Sequence, residues 1–280
     1  MDRFVFAIDP DTLRERQESV PAASGEGTVT IIWLPDEASV MRAFIAHINT
    51  QDPDYITGWN TDRFDWGFLA LAAERCGVSG FWDFSRFSGV PKAYYNTRLY
   101  TDKVLARQLK KKVILQTPGR VPYDLMTWFR RNVQLPSYTL NSVAETYGCG
   151  AKDDVKYAEI GELFKTPEGR LKLAIYCEQD TALVLKLIQN PKVDPLGKDL
   201  ALCSICGVWP TDLMGRGTQN TLRCKLLRVA HTRGFALPYV AGADLDAEVD
   251  AEQAGDGESD DEDEEKEEEE DLGYQGARCD

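Results

Sequence analysis

Two aspartates stand where the sequence pattern calls for apolar side chains. In LKLAIYCEQDTALVLKLI, the residues Leu173, Tyr176, Cys177, Asp180, Leu183, Val184 and Leu187 recur at i, i+3, i+4 spacing, and all but Asp180 are apolar or aromatic. An ionised carboxylate turned toward a core is strongly unfavourable unless it is paired or holds a metal. Tyr176 lies one helical turn earlier, so its hydroxyl and the Asp180 carboxylate can reach the same place. The alternative is a lysine or arginine from a neighbouring element paired with Asp180. The second aspartate is Asp65 in DPDYITGWNTDRFDWGFLALAAERCG, where a short strand ends at Trp59 and Asp65 opens a helix bearing Phe68, Leu69, Ala72 and Cys76 on one stripe. An acid in a first helical turn is favoured by the helix dipole whatever its role. A carboxylate just past the carboxyl end of a strand also lies where α/β folds gather ligands. With only His47 and His231 in the chain, two such carboxylates favour oxygen-ligated Mg²⁺ or Mn²⁺ over zinc.

The elements that must hold these residues alternate between strand and helix. FVFAI and TVTIIWL are runs of β-branched and aromatic residues and predict strands. Asp36 is placed to cap a helix over EASVMRAFIAHINT, whose Val40, Met41, Phe44, Ile45 and Ile48 form one stripe. DYITGW predicts a short buried strand, followed by a helix from Phe64 to Cys76. Strands are expected around RLYTDKVLA and KKVILQT, interrupted by PGR, then helices in DLMTWFRRN and YTLNSVAETYG and a long helix from Leu171 to Ile188. Two more helices are expected from about Lys198 and Asp212. The interleaving predicts an α/β fold.

Composition narrows the function classes. At 280 residues and 43% hydrophobic the chain can build a real core, and no apolar run is long enough for a spanning helix, so no membrane partner is expected. No secretory signal is visible at the start. Seven cysteines from Cys76 to Cys279 do not form a disulfide framework, which fits a reducing compartment. Cys203-x-x-Cys206, with only Cys224 and His231 nearby, matches no usual zinc spacing, and buried thiols are the expectation. The net charge of −14 is misleading: Asp244 to Asp271 holds eighteen acidic residues and one lysine, leaving +3 on the rest. That acidic segment has too few apolar side chains to fold and is expected to be a disordered, solvated linker. Arg98 to Arg131 holds nine Lys or Arg against two Asp, and Arg216 to Arg233 five against none, which permits phosphate contact. Tyr100, Tyr123, Trp128 and Phe129 lie among them and are expected mainly in the core. No phosphate loop, GxSxG or HExxH motif is present.

The two aspartates sit in segments that resemble those of family B DNA polymerases. DPDYITGWNTDRFDWGFL resembles the family's second exonuclease motif, with Asn60, Phe64 and Asp65 in the Asn-x(2–3)-Phe/Tyr-Asp pattern. YCEQDTALVLKLI resembles the third, Tyr-x-x-x-Asp, at Tyr176 and Asp180. DLMTWFRRNVQLPSYTLNSVAETYG and KDDVKYAEIGELF look like the linking helices, DLMGRGTQNTLRCKLLRVAHTRGFALP like the segment leading to the palm, and GYQGA like the palm lead-in. The closest flavour is the delta-type and large DNA virus polymerases. The resemblance implies an RNase H-like α/β fold, incomplete at its N-terminus. It divides the chain into a partial 3′–5′ exonuclease domain at 1–195, a helical connector at 196–240, the acidic segment at 241–273 and a palm lead-in stub at 274–280. It also implies two Mg²⁺ or Mn²⁺ ions on a terminal phosphodiester. Asp180 would ligate a metal directly and Asp65 would hold the second mainly through water. Tyr176 would orient the attacking water, and Asn60 and Phe64 would place the 3′ end.

The implied partners are a single-stranded DNA 3′ end and primer–template, the remainder of the polymerase chain and, as a further candidate, a sliding clamp. The implied location is the nucleus or a cytoplasmic viral replication site. One departure matters. The family's first motif, an Asp-x-Glu on the first strand, is not found before Asn60, and Asp9-Pro10-Asp11 is a poor substitute. The chain therefore reads as a fragment with two of four carboxylates, expected to lack polymerase activity and to have little or no exonuclease activity alone. The missing strand is also expected to leave a sheet edge or core face uncovered. The competing readings are a catalytically lost module that binds single-stranded DNA or a polymerase partner, and an interaction protein acting through its acidic segment.

Overall fold

The computed structural model describes residues 3–23, 27–78, 85–87, 94–101, 109–150, 155–215 and 218–236. The acidic segment, the palm lead-in stub and parts of the RLYTDKVLA and KDDVKYAEI segments lie outside them. Strands β1 (Phe4–Ile8), β2 (Arg16–Pro21) and β3 (Thr28–Leu34) form one sheet in the order β1-β3-β2, with β1 parallel and β2 antiparallel to β3. Period-two alternation sorts its side chains between two helices. Val5 and Ala7 of β1, with Val29, Ile31 and Trp33 of β3, pack against Leu171 and Ala174 of α6 (Pro167–Ile188). On the opposite face Phe4 and Phe6 of β1 meet the His47 ring of α1 (Glu37–Gln51), at 4.9 and 5.4 Å between centroids. Asp36 caps α1 as its sequence position predicts, accepting a 2.7 Å hydrogen bond from the Ser39 N–H.

β4 (Tyr55–Gly58) pairs in parallel with β7 (Val121–Asp124), and β5 (Tyr94–Thr101) pairs antiparallel with β6 (Leu109–Gln116). The second core closes over β4 and β7. Tyr123, Leu125, Trp128 and Phe129, from β7 and α3 (Leu125–Asn132), pack with Val143 of α4 (Leu140–Thr146) and with Val184 and Leu187 of α6. A third cluster joins Met41, Ile45 and Ile48 of α1 to Trp66, Ala72 and Ala73 of α2 (Asp65–Arg75), with Ile56 of β4 beneath. Tyr123, Trp128 and Phe129 are thus core residues, as expected; the side chain of Tyr100 lies outside the described residues.

α5 (Tyr157–Phe164) leads into α6. Beyond α6 the described residues form three helices rather than the two expected: α7 (Pro195–Cys206), α8 (Pro210–Gly215) and α9 (Thr218–Thr232). Cys203 and Cys206 are buried free thiols on α7, and burial, then the charge of Asp199, pushes the Cys203 thiol up. The mixed strand–helix architecture is the α/β class expected of an RNase H-like exonuclease domain. Among the described residues no helix is long and apolar enough to cross a membrane.

Candidate functional site

Two parallel strands end side by side, with Gly58 of β4 in register with Asp124 of β7. Their starts are pinned by two arginines, of which Arg86 donates to the Asp52 and Asp54 carboxylates and to the Gly119 carbonyl. The buried Arg120 guanidinium donates to Asp52 Oδ1 and to the Pro53 carbonyl, both at 2.8 Å. Val121 N–H then bonds the Asp54 carbonyl at 2.8 Å. With both starts fixed, the carboxyl ends of the strands are fixed too. Gly58 leaves room for the Thr61 side-chain methyl, which a Cβ at this position would force to move.

The turn after β4 carries three of the five predicted site residues. Asn60 adopts a left-handed conformation with φ of 59°, which asparagine tolerates better than most residues. Its carbonyl accepts the Arg63 N–H at 3.2 Å and the Phe64 N–H at 3.1 Å, winding the chain into α2. Its side-chain Oδ1 is buried with no hydrogen-bond partner among the described residues. Asp65 sits in the first turn of α2, where the helix dipole favours a negative charge. Burial outweighs that, and with the nearby charge of Asp124 it raises the Asp65 carboxyl above its usual range. The side chains beside it point to solvent: Phe64 is 68% and Phe68 55% exposed. Phe68 therefore does not join the buried stripe of α2, which is formed by Trp66, Ala70, Ala72 and Ala73.

The other two predicted residues, Tyr176 and Asp180, lie one turn apart on α6 and are both partly buried. The stripe predicted for this helix holds only in its second half, at Leu183, Val184 and Leu187. In the first half the buried face is Arg170, Ala174 and Glu178, and Cys177 is exposed. The reason is that α6 serves two neighbours: its first turns lie on the β1-β3-β2 sheet and its last turns enter the core around Phe129. The carboxylate that faces the sheet is consequently Glu178. It is 5% exposed and accepts a 2.8 Å bond from Arg3 Nη1.

Asp124 is a residue of the site that sequence reasoning missed. Its carboxylate is 3% exposed and accepts the backbone N–H groups of Asn60 (3.0 Å), Asp62 (3.2 Å), Met126 (3.0 Å) and Thr127 (3.4 Å). An aspartate just before LMTW signals a helix cap, but its reach to the preceding strand's turn depends on strand pairing, which no local pattern shows. Three of those donors crowd Oδ1 and one takes Oδ2, which commits most of the carboxylate to the backbone. Among the described residues no group of three or more His, Cys, Asp or Glu side chains converges. Asp65 and Asp180 are suitable hard donors, but the described donor set is short of what a two-ion site requires.

The family profile described as DNA polymerase family B, exonuclease domain, matches residues 2–143. The DNA polymerase delta catalytic subunit of Drosophila melanogaster is 29% identical over 215 residues, 76% of this chain and 19% of that protein. The Bos taurus DNA polymerase delta catalytic subunit is 30% identical over 205 residues, 73% of this chain and 18% of that protein. DNA polymerase 1 of Pyrococcus abyssi is 27% identical over 251 residues, 83% of this chain and 30% of that protein. The chain thus spans about a fifth of the length of the delta-type relatives it matches. With half of its length matching that exonuclease domain, the chain belongs to the family B DNA polymerases.

Proposed function

We propose that this chain is the 3′–5′ proofreading exonuclease region of a family B DNA polymerase, acting on single-stranded DNA 3′ ends. In this reading residues 1–195 are the exonuclease domain and 196–240 the connector toward the polymerase palm. The observation that carries it is the turn from Asn60 to Asp65, which puts a partly buried carboxylate beside exposed aromatics at the carboxyl ends of two parallel strands. Phe64 offers its exposed ring to the terminal base, and Asn60 Oδ1, buried and without a partner among the described residues, is available to a bound group. The Tyr176 hydroxyl orients the attacking water, which forms a new P–O bond as the P–O3′ bond breaks. Mg²⁺ or Mn²⁺ in the complete site supplies charge neutralisation and a more acidic water. Asp180 and Asp65 would be two of its ligands, and the family's Asp-x-Glu motif would supply the carboxylates that the globular body of this chain lacks.

DNA and the remainder of the polymerase are the partners of this reading, a sliding clamp is a further one, and the nucleus or a viral replication site is its compartment. Exposed Trp209, Leu222, Leu226 and Leu227 on the connector support a covering by the rest of such a polymerase. The test is to join an Asp-x-Glu strand segment to the chain and to follow 3′-nucleotide release from 5′-labelled single-stranded DNA in Mg²⁺. Asp180→Ala is expected to slow release by on the order of 10³-fold, about 4 kcal/mol of transition-state stabilisation. Unchanged release by Asp180→Ala would overturn the site. DNA binding without any release would favour the catalytically lost binding module.

A further inference from the structure

We propose that Asp124 is the positioning residue of this site: the carboxylate that caps α3 also tethers the turn carrying Asn60, Phe64 and Asp65. The inference rests on the exonuclease reading for its catalytic consequence, but not for the tether itself. A helix cap needs only the bonds to Met126 and Thr127, which serine or threonine can make at this position. Asp124 reaches further. Its Oδ1 also takes the Asn60 N–H at 3.0 Å, and its Oδ2 takes the Asp62 N–H at 3.2 Å, both across the β4–β7 pair.

Burying an ionised carboxylate that deeply is unfavourable unless its acceptor capacity is used, and here four backbone donors use it. Two of the four belong to the turn. That turn holds Asn60 at a positive φ, a conformation that needs outside support in a residue other than glycine. From Asn60 the constraint passes through its carbonyl to the Arg63 and Phe64 N–H groups, and from the Thr61 carbonyl to the Trp66 N–H at 3.1 Å. The first turn of α2, and with it Asp65, is therefore placed by a residue sixty positions away that touches no substrate. With three N–H groups on Oδ1 and one on Oδ2, Asp124 serves the backbone, while Asp65 faces the site.

Asp124→Ser separates the two roles, because the serine hydroxyl can still cap α3 but cannot reach the turn. In the 280-residue chain, amide hydrogen exchange followed by NMR should accelerate about tenfold or more at Asn60 and Asp62 and stay unchanged at Met126 and Thr127. In the chain joined to an Asp-x-Glu strand, kcat for 3′-nucleotide release should fall by about 10- to 100-fold with KM for DNA unchanged. Asp124→Asn keeps the three bonds to Oδ1, so it should accelerate exchange at Asp62 alone and recover most of kcat. It gives the same reading if the serine variant does not fold. Unchanged exchange at Asn60 and Asp62 in Asp124→Ser, or at Asp62 in Asp124→Asn, would overturn the tether. Lost protection with unchanged kcat would overturn the positioning role. Asp180→Ala in the same preparation keeps the two ideas apart: if it leaves release intact, the exonuclease reading has failed and not the tether.

Discussion

Asp199 on α7 ties that helix to β7 and α3, and its removal gives a calculable loss. Its Oδ2 accepts from the Tyr123 hydroxyl at 2.9 Å and its Oδ1 from the Trp128 indole N–H at 3.0 Å. Both donors belong to almost wholly buried side chains of β7 and α3, at 3% and 2% exposure. Burial first, and then the Asp199 charge, pushes the Tyr123 hydroxyl far above its usual range, so it remains a donor wherever the fold survives. Asp199→Ala strands two donors, each worth about 1–3 kcal/mol when left unmet in a core. Because Asp199 is only partly buried, water can reach the vacated space, and the lower half of that range applies, about 2–4 kcal/mol in total. Tyr123→Phe removes one donor and should cost about 1 kcal/mol. In the double variant only Trp128 is stranded, so its loss should fall short of the sum by about 2–3 kcal/mol. Urea unfolding followed by tryptophan fluorescence measures all three, read as midpoint shifts at constant slope. Additive losses, with a shortfall below about 0.3 kcal/mol, would refute the claim that these groups form one linked unit.

Phe129→Ala should cost about 3–5 kcal/mol in urea unfolding, since Phe129 is fully buried where β7, α3, α4 and α6 meet. Arg170→Met should cost about 3 kcal/mol, because the buried guanidinium holds Asp9 at 2.9 Å and the Phe164 carbonyl at 3.1 Å, and its loss leaves Asp9 only the more exposed Arg16, 3.5 Å away. Asp36 is held below the usual carboxylate range, chiefly by the Ser39 N–H, so its cap contribution is complete above pH 3.8 and is lost as pH falls through the lowered folded value. Asp36→Ala should therefore destabilise by about 1 kcal/mol at pH 7, and the difference in Tm from the parent chain should shrink toward pH 3. Asp65→Asn should raise the urea midpoint at pH 7, because burial opposes the ionised carboxylate, while abolishing release in the joined chain; a lowered midpoint would count against the burial argument.

Much of this architecture is legible in the sequence, and the misses have physical causes. The cap at Asp36, the short strand of DYITGW, which ends at Gly58 rather than at Trp59, and the long helix through Asp180 follow from local chemistry and periodicity. β2 was missed because RQESVP offers an edge strand almost no apolar alternation, its place being set by pairing with β3. β7 was missed because VPYD contains Pro122, which argues against a central strand; Pro122 pairs opposite Ile56 in a strand whose described partner is β4 alone. The first half of α6 defeated a single-stripe reading because the helix crosses two cores, and the buried ion pair of Glu178 with Arg3 spans a separation no local window sees. The same limit applies to the site. Asn60, Phe64 and Asp65 stand out as one motif, whereas Asp124 becomes part of the site only once β4 and β7 lie side by side.

The most direct test of the account compares the 280-residue chain alone with the same chain joined to an Asp-x-Glu strand, measuring 3′-nucleotide release from single-stranded DNA in Mg²⁺. The account predicts release no faster than the metal-free background for the chain alone, and 3′–5′ degradation for the joined chain that disappears with Asp180→Ala. An inactive joined chain that still binds DNA, or full activity in Asp180→Ala, would contradict it.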